Sequence, residues 1–413
     1  MTLRVLIAGG GLGGLTLAHG LRQAGLEPRV FERGPAEPDL SSSYRIHLDA
    51  TGSSALYACL PASLWQQFEA HSAAPPLGLA FATEHLRQLA FVAQPADVPA
   101  HQSHPISRAG LRQLLLTGLD DAVAFAKRVV GFEQASSAPV EVHFADGSSA
   151  RGDVLVGADG SASAVRKQLL PHARVVESGI AGIIGKVYLN ERVRERVGPR
   201  LLGQMTMVLP RRSGAMFVAP FLSGRTSSAL DMPEHLFWAV MGRAATLGLV
   251  PGAREHNASQ LQHLAQRMTS GWHPLLQELI TDADPASLLT RPLHTAHRIA
   301  AWQPSRVTLL GDAIHTMTPL QGLGGNTALR DAVLLRNHLV EADNTGDVVG
   351  AVRAYEVSMR AYAYAAVQSS LQVSNAIGST NVLGRLAFRL VLRTSDVLPP
   401  LRHALFPRPN TVD

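Results

Sequence analysis

The segment Leu3-Arg4-Val5-Leu6-Ile7-Ala8-Gly9-Gly10-Gly11-Leu12-Gly13-Gly14 decides the fold. Apart from Arg4, Leu3 to Ala8 is an apolar, partly β-branched run of strand length, the pattern of a parallel strand buried on both faces. Glycines end it, and Leu15, Leu17, Ala18, Leu21 and Ala24 then recur at helical spacing until Gly25. In this strand, turn and helix, Gly9 permits the turn, Gly11 lets backbone approach a pyrophosphate, and Gly14 lets helix and strand pack closely. The helix N-terminus offers free amides and partial positive charge. A second strand, Glu27 to Phe31, ends at Glu32, eighteen residues beyond Gly14, where a carboxylate can accept hydrogen bonds from ribose hydroxyls. The same charge would repel a ribose phosphate, so the site suits an adenosine diphosphate moiety. Leu12, Gly13 and Arg33 complete this candidate binding set. Alone, the fingerprint does not say which dinucleotide binds, and a glycine turn that binds nothing has the same form.

Two further strands run into acids. Asp153-Val154-Leu155-Val156-Gly157-Ala158-Asp159-Gly160 reads as a buried strand followed by a helix, with Asp159 able to cap it. Val140 to Phe144 and the Asp146-Gly147 turn read as a hairpin arm feeding that strand. Arg306 to Asp312 is a third apolar strand ending in an acid, and it leads through Pro319 into Gln321-Gly322-Leu323-Gly324-Gly325-Asn326 and a long helix from about Thr327. A strand-end carboxylate can bind the hydroxyls of a ribityl chain. A glycine loop capped by a helix N-terminus can set amides against the flavin edge where negative charge gathers on reduction.

The order G-x-G-x-x-G, G-A-D-G, then G-D-A-x-H-x-x-x-P-x-x-G-x-G-x-N resembles the single-component FAD-dependent aromatic hydroxylases typified by para-hydroxybenzoate hydroxylase, over most of the chain. The resemblance implies that Gly9, Gly11, Gly14 and Glu32 bind the ADP half of FAD. It sets Asp159 and Gly160 near the pyrophosphate and pyridine-nucleotide path, Asp312 at the ribityl region, and Pro319 with Gly322, Gly324, Gly325 and Asn326 along the flavin ring. Arg45, in Tyr44-Arg45-Ile46-His47-Leu48, looks like the family's flavin-contacting arginine, and Arg108 like its cofactor-helix arginine. The family's reaction consumes NAD(P)H and dioxygen and hydroxylates an aromatic or polycyclic small molecule through a flavin C4a-hydroperoxide. With one dinucleotide fingerprint present, NAD(P)H is expected as a transient co-substrate, bound in a groove.

The expected architecture is α/β: a discontinuous Rossmann-like FAD-binding domain (1–75, 100–178 and 286–345), an antiparallel β-sheet substrate domain (76–99 and 179–285), and a C-terminal helical region (346–413). The sheet is read from apolar runs at Ile180 to Asn190, Met205 to Pro210, Met216 to Pro220 and His235 to Met241. Leu383 to Leu398 reads as an amphipathic helix carrying Arg385, Arg389 and Arg393, expected to dock its apolar face on the protein body, with a membrane surface as the alternative. At this length the C-terminal thioredoxin-like domain of longer family members is not expected.

Bulk composition agrees with a folded enzyme, at 413 residues, 46% hydrophobic and 17% charged. The net charge of +5 is spread along the chain, without the basic run that nucleic acid would call for. A strand beginning at Leu3 leaves no space for a signal peptide, so a cytoplasmic location is expected, and no apolar run reaches membrane-spanning length. Cys59 is the single cysteine, which excludes an internal disulfide and makes a thiolate metal site unexpected, so no metal ligands are assigned.

His47, on the strand predicted near the flavin, is the first candidate base for deprotonating a phenol, with a purely structural hydrogen-bonding role as the alternative. Three rival functions stay open. A flavin halogenase lacks its W-x-W-x-I-P signature here, since Trp65, Trp238, Trp272 and Trp302 stand apart. A Baeyer-Villiger or epoxidising monooxygenase would use the same motifs, and a non-catalytic nucleotide-binding protein would have no need of the Asp312 to Asn326 loop. Met205, Met207, Met216 and Phe217 suit either a core or a lipophilic pocket.

Overall fold

The structure is a computed structural model and describes residues 2–36, 44–94, 103–134, 139–222, 232–249, 256–398, 400–401 and 405. The chain forms two compact units: Met1–Ser72, Pro99–Val176 and His294–Leu371 make the first, and Ala73–Val98, Glu177–Leu293 and Gln372–Asp413 the second. The helical C-terminal stretch, expected as a region of its own, is divided between them within the helix Val348–Gly378.

The first unit is built on five parallel strands in the order Val307–Leu309, Val154–Gly157, Arg4–Ala8, Glu27–Phe31, Val123–Ala124. Val5, Leu6, Ile7, Val154, Leu155, Val156 and Leu309 are all at most 1% exposed, which is why these strands read as unbroken apolar runs. The helices Leu12–Gln23 and Leu323–Thr345 pack against each other. Val129–Glu133, Val140–Phe144 and Ser149–Gly152 form the expected antiparallel arm, and Arg45–Leu48 pairs antiparallel with His104–Ser107.

The second unit carries seven strands in the order Leu289–Ala296, Val175–Tyr188, His235–Arg243, Ala215–Phe221, Met205–Val208, Gly78–Ala82, Gln88–Ala93. The sheet is not wholly antiparallel as expected, because Met205–Val208 runs parallel to Gly78–Ala82. These two strands are far apart in sequence, so no tight hairpin forces them to oppose. Alternation separates the methionines: Thr206, Val208, Met216, Val218 and Trp238 are buried on one face, where Val208, Met216, Val218 and Trp238 share a core with Val193, Val197, Leu261 and Leu276. Met205, Met207, Phe217 and Phe237 have the opposite parity and are half-buried, with the two phenyl rings edge to face at 6.4 Å.

The helix Val382–Val397 departs from the expected docking. Its docked side is mixed: Arg385 donates to the carbonyls of Pro210, Ala376 and Gly214, Arg389 pairs with Glu84 at 3.0 Å, and the buried Leu392 packs with Leu89 and Ala90, whereas Arg393 is exposed. Leu383 is 79% exposed, Leu390 65% and Val397 77%, so most of the helix's apolar side chains, Leu392 apart, face outward. The carbonyls that Arg385 meets and the Glu84 carboxylate at Arg389 supply polar partners on the docked side, and Asp396 of the same helix accepts from the Phe91 N–H at 3.0 Å. Among the described residues no helix is long and apolar enough to cross a membrane.

Candidate active site

The glycine turn divides its labour. Gly9 has φ +112°, and a Cβ there would lie 2.3 Å from the Ala158 carbonyl oxygen. A Cβ on Gly14 would lie 2.3 Å from Gly9 O, and one on Gly13 2.6 Å from the Leu310 side chain, so both are packing glycines. Gly11 has nothing within 4 Å of its Cβ position. It serves as the N-cap of Leu12–Gln23 without any side-chain cap, so no side chain at that position takes up the first amides of the helix.

Glu32 is held by backbone. The Gly10 N–H donates to its Oε2 at 2.8 Å and the Gly34 N–H to its Oε1 at 2.7 Å, which joins the end of one strand to the turn after its neighbour. Arg112, which sequence reasoning missed, donates from Nε to Gly10 O at 2.9 Å and brings Nη2 to 3.9 Å from Glu32. Its only signal was the four-residue step from Arg108. Arg33 is exposed beside this site.

At the second strand end, the N-cap of the following helix is Ser163, whose Oγ accepts from the Arg166 N–H at 2.9 Å, and Asp159 assists from outside, its Oδ2 accepting from the Ala164 N–H at 2.7 Å while buried Oδ1 has no partner among the described residues. Gly160, at φ +78°, has no neighbour within 4 Å of its Cβ position. Arg166, also missed, is buried and ties this segment to the third motif, donating to Ser161 O at 2.8 Å and Ala313 O at 2.9 Å.

The third motif starts at Gly311, φ +66°, whose N–H donates to Asp331 Oδ2 at 2.9 Å. Asp312 follows, accessible yet recessed: burial raises its carboxyl, and His315 and then Arg108 pull it back, so Arg108 lies within electrostatic reach of Asp312. Arg108 opens its helix as expected, with its guanidinium over the Tyr44 ring. A Cβ on Gly324 would lie 3.9 Å from Asp312 Oδ1, whereas Gly325 is open. Pro319 starts a short 3-10 turn, Gly322 follows at φ +69°, and Leu323–Thr345 begins with no side-chain cap. Asn326 spends its amide on protein: Nδ2 donates to His47 O at 3.1 Å and to Gly322 O at 2.9 Å, and Oδ1 accepts from Asp49 N at 3.1 Å. It therefore clamps the Arg45–Leu48 strand to the glycine loop.

Arg45 lies in that strand, buried, with Nε and Nη2 unpartnered among the described residues, and burial pushes it down to about 10. His47 shares Ser103 Oγ at 2.9 Å from Nε2 and 3.2 Å from Nδ1. Burial, then Arg45 and His104, push His47 down to about 3. A group so acidic when protonated is a poor general base near neutrality, and the structure speaks against the base role expected for it.

The three motifs thus lie at the carboxyl ends of three adjacent parallel strands, where open α/β sheets bind ligands. Open backbone at Gly11, Gly160, Gly322 and Gly325, two uncapped helix N-termini, a recessed carboxylate and orphaned donors on Arg45 are the features a dinucleotide with a flavin ring would fill. The profile of the FAD binding domain family matches residues 2–370. The chain belongs to this family of FAD-dependent monooxygenases.

FAD is the family's cofactor, and the residues above fit it. The dual O-methyltransferase/FAD-dependent monooxygenase CTB3 of Cercospora beticola is 31% identical over 385 residues, 86% of this chain and 44% of that protein. The chain therefore spans less than half the length of the first curated relatives it matches. The aurachin C monooxygenase/isomerase of Stigmatella aurantiaca is 32% identical over 338 residues, 81% of this chain and 79% of that one. Among solved structures, one from Photorhabdus luminescens subsp. laumondii, assigned as a FAD-containing monooxygenase, has a TM-score of 0.80 at 34% identity and covers 91% of this chain and 99% of its own.

Proposed function

We propose that this protein is a monooxygenase that uses FAD, NAD(P)H and dioxygen to hydroxylate an aromatic or polycyclic small molecule. The observation that carries this reading is the convergence of three glycine-and-acid motifs on adjacent strand ends, with their glycines open and their helix N-termini uncapped. Bound FAD supplies two-electron acceptance from a nicotinamide and activation of oxygen.

The chain's own residues position and polarise. Glu32, fixed by Gly10 and Gly34, offers its remaining lone pairs to ribose hydroxyls, and Gly11 with Leu12 to Gly14 offers amides to the pyrophosphate. Asp159 and Gly160 border the pyrophosphate path, Asp312 with Arg108 takes the ribityl region, and Pro319 with Gly322 to Gly325 lines the ring. Asn326 acts through its clamp on the His47 and Asp49 backbone. Arg45 places an uncompensated positive charge beside the site, where it favours an electron-rich ring. No side chain is assigned as base. Within the second unit, the half-buried Met205, Met207, Phe217 and Phe237 form an apolar, aromatic patch of the kind that favours an aromatic molecule over a charged aliphatic one.

The test is the visible spectrum of the purified chain, before and after heat release of the cofactor, with anaerobic NADH and then NADPH. A released FAD spectrum, bleached by one nicotinamide and restored by air, supports the reading, and a panel of phenols and polycyclic aromatics then reads out product. A gain of one oxygen on an intact ring supports hydroxylation. Ring expansion or an epoxide assigns the Baeyer-Villiger or epoxidising chemistry instead, and a colourless protein that FAD cannot reconstitute overturns the proposal.

A further inference from the structure

We infer that Asp331 is a positioning residue that sets Asp312 for the cofactor, an inference that rests on the reading of Asp312 as a flavin-chain ligand. Asp331 lies on the Leu323–Thr345 helix and is fully buried. Three donors converge on its carboxylate. Oδ2 accepts from the Gly311 N–H at 2.9 Å and lies 2.6 Å from His315 Nε2, and Oδ1 accepts from Tyr362 Oη at 2.5 Å. Tyr362 is itself held, with the Arg330 guanidinium 4.0 Å over its ring.

The sequence positions of these donors matter. Gly311 immediately precedes Asp312, and His315 closes the single helical turn Asp312–His315. Gly311 has φ +66° and ψ −142°, a conformation open to glycine and to little else, and a glycine has no side chain with which to hold it. Asp331 therefore grips the backbone on one side of Asp312 and the side chain on the other. Asp312 is left between two fixed points with its own carboxylate free and recessed.

A buried carboxylate is costly to keep, and an apolar residue would fill the same space more cheaply if packing were the only requirement. His315 points the same way. Its Nδ1 is buried with no partner among the described residues, so Asp331 is what orients the ring. Asp331 touches no cofactor region itself, and its action passes through Gly311 and His315 to Asp312.

The experiment is FAD titration of the deflavinated full-length chain by flavin fluorescence, with the visible spectrum of the reconstituted protein and thermal unfolding of the apoprotein recorded alongside. The variants are Asp331→Asn, His315→Leu, His315→Gln, Asp312→Ala and Tyr355→Phe. Tyr355 donates to Leu309 O at 2.9 Å within the same core and reports a generic loss of a buried hydrogen bond. Positioning by Asp331 is supported if Asp331→Asn and His315→Leu weaken FAD binding about tenfold or more and shift the bound-flavin spectrum. His315→Gln, which keeps a donor at the Nε2 position, should restore much of the affinity, and Tyr355→Phe should lower the melting temperature while leaving affinity unchanged.

Wild-type affinity and spectrum in a folded Asp331→Asn variant would overturn the inference. So would a loss no greater than that of Tyr355→Phe at equal destabilisation. If Asp331→Asn does not fold, the His315 pair decides between the same two results. An Asp312→Ala variant with unchanged FAD affinity would instead sink the underlying reading of Asp312, whatever Asp331 does.

Discussion

The Gly10 N–H and the Glu32 carboxylate, joined at 2.8 Å, lock the end of one parallel strand to the turn that follows its neighbour. With Gly34 on the other oxygen, Glu32 reaches a ribose with both oxygens already oriented. Glu32→Gln turns one acceptor into an amide that must face a backbone N–H. Loss of one charge-assisted hydrogen bond, worth roughly 1.5–3 kcal/mol, corresponds to a 10- to 100-fold weaker FAD complex. Equilibrium titration of the apoprotein measures it. Affinity within twofold of wild type would remove Glu32 from the site.

Gly11 and Gly14 make opposite predictions. A methyl at Gly11 meets nothing in the protein, so Gly11→Ala should fold with an unchanged melting temperature and fail to hold FAD. A methyl at Gly14 meets backbone at 2.3 Å, so Gly14→Ala should lose stability by about 1–3 kcal/mol or not fold. Parallel unfolding and binding curves separate them. Normal FAD binding by Gly11→Ala would mean that the pyrophosphate does not approach there.

Arg45 gives a trade-off between stability and function. Its buried guanidinium has two nitrogens without partners among the described residues, so Arg45→Met should leave the apoprotein at least as stable, because a poorly partnered charge is replaced by a side chain that fits an apolar setting. The same change should weaken FAD binding and lower the flavin's reduction potential, since a positive charge favours the reduced, anionic ring. A destabilised apoprotein with an unchanged potential would contradict both halves.

What the sequence made legible were strands that run into acids and glycines, since the exposed backbone of a turn demands particular residues. Gly9, Gly14, Glu32, Asp159 and Asp312 all sit where their spacing put them. Arg112 and Arg166 were invisible because their hydrogen bonds go to backbone carbonyls, at Gly10, Ala313 and Ser161, and a peptide group leaves no mark on a sequence, while Asp331 bonds one backbone amide, at Gly311, and two side chains, His315 and Tyr362, that only the fold brings to it. His47 was legible as a residue near the glycine loop, but not its burial beside Arg45 and His104. Nor could periodicity tell which side of the last helix docks, because it gives the axis of amphipathicity and not its sign.

That last helix yields a sharp contrast. Leu390, 65% exposed, should tolerate serine with a stability change within about 0.5 kcal/mol. Arg389→Ala should cost about 2–4 kcal/mol, because it strands Glu84, whose side chain is only 11% exposed. Chemical denaturation of the two variants tests the orientation, and the reverse ranking would mean that Leu390 and not Arg389 is on the docked side.

Glu356 sets a pH dependence. It is 4% exposed, and burial raises its carboxyl to about 7, with Thr308, Trp302 and Arg360 offsetting only part of the effect. Thr308 Oγ1 donates to its Oε1 at 2.8 Å. An unfolded glutamate ionises near 4.5, so between that pH and about 7 the native state holds a proton that the unfolded state has lost. Stability is therefore fully present below about 4.5 and falls as pH rises toward about 7, by at most about 3 kcal/mol for the whole shift. Glu356→Gln keeps an acceptor for Thr308 and carries no charge, so it should match the wild type near pH 5 and exceed it near pH 8. Unfolding of both proteins at the two pH values measures this. A constant difference between them would show that Glu356 does not take up its proton in that range.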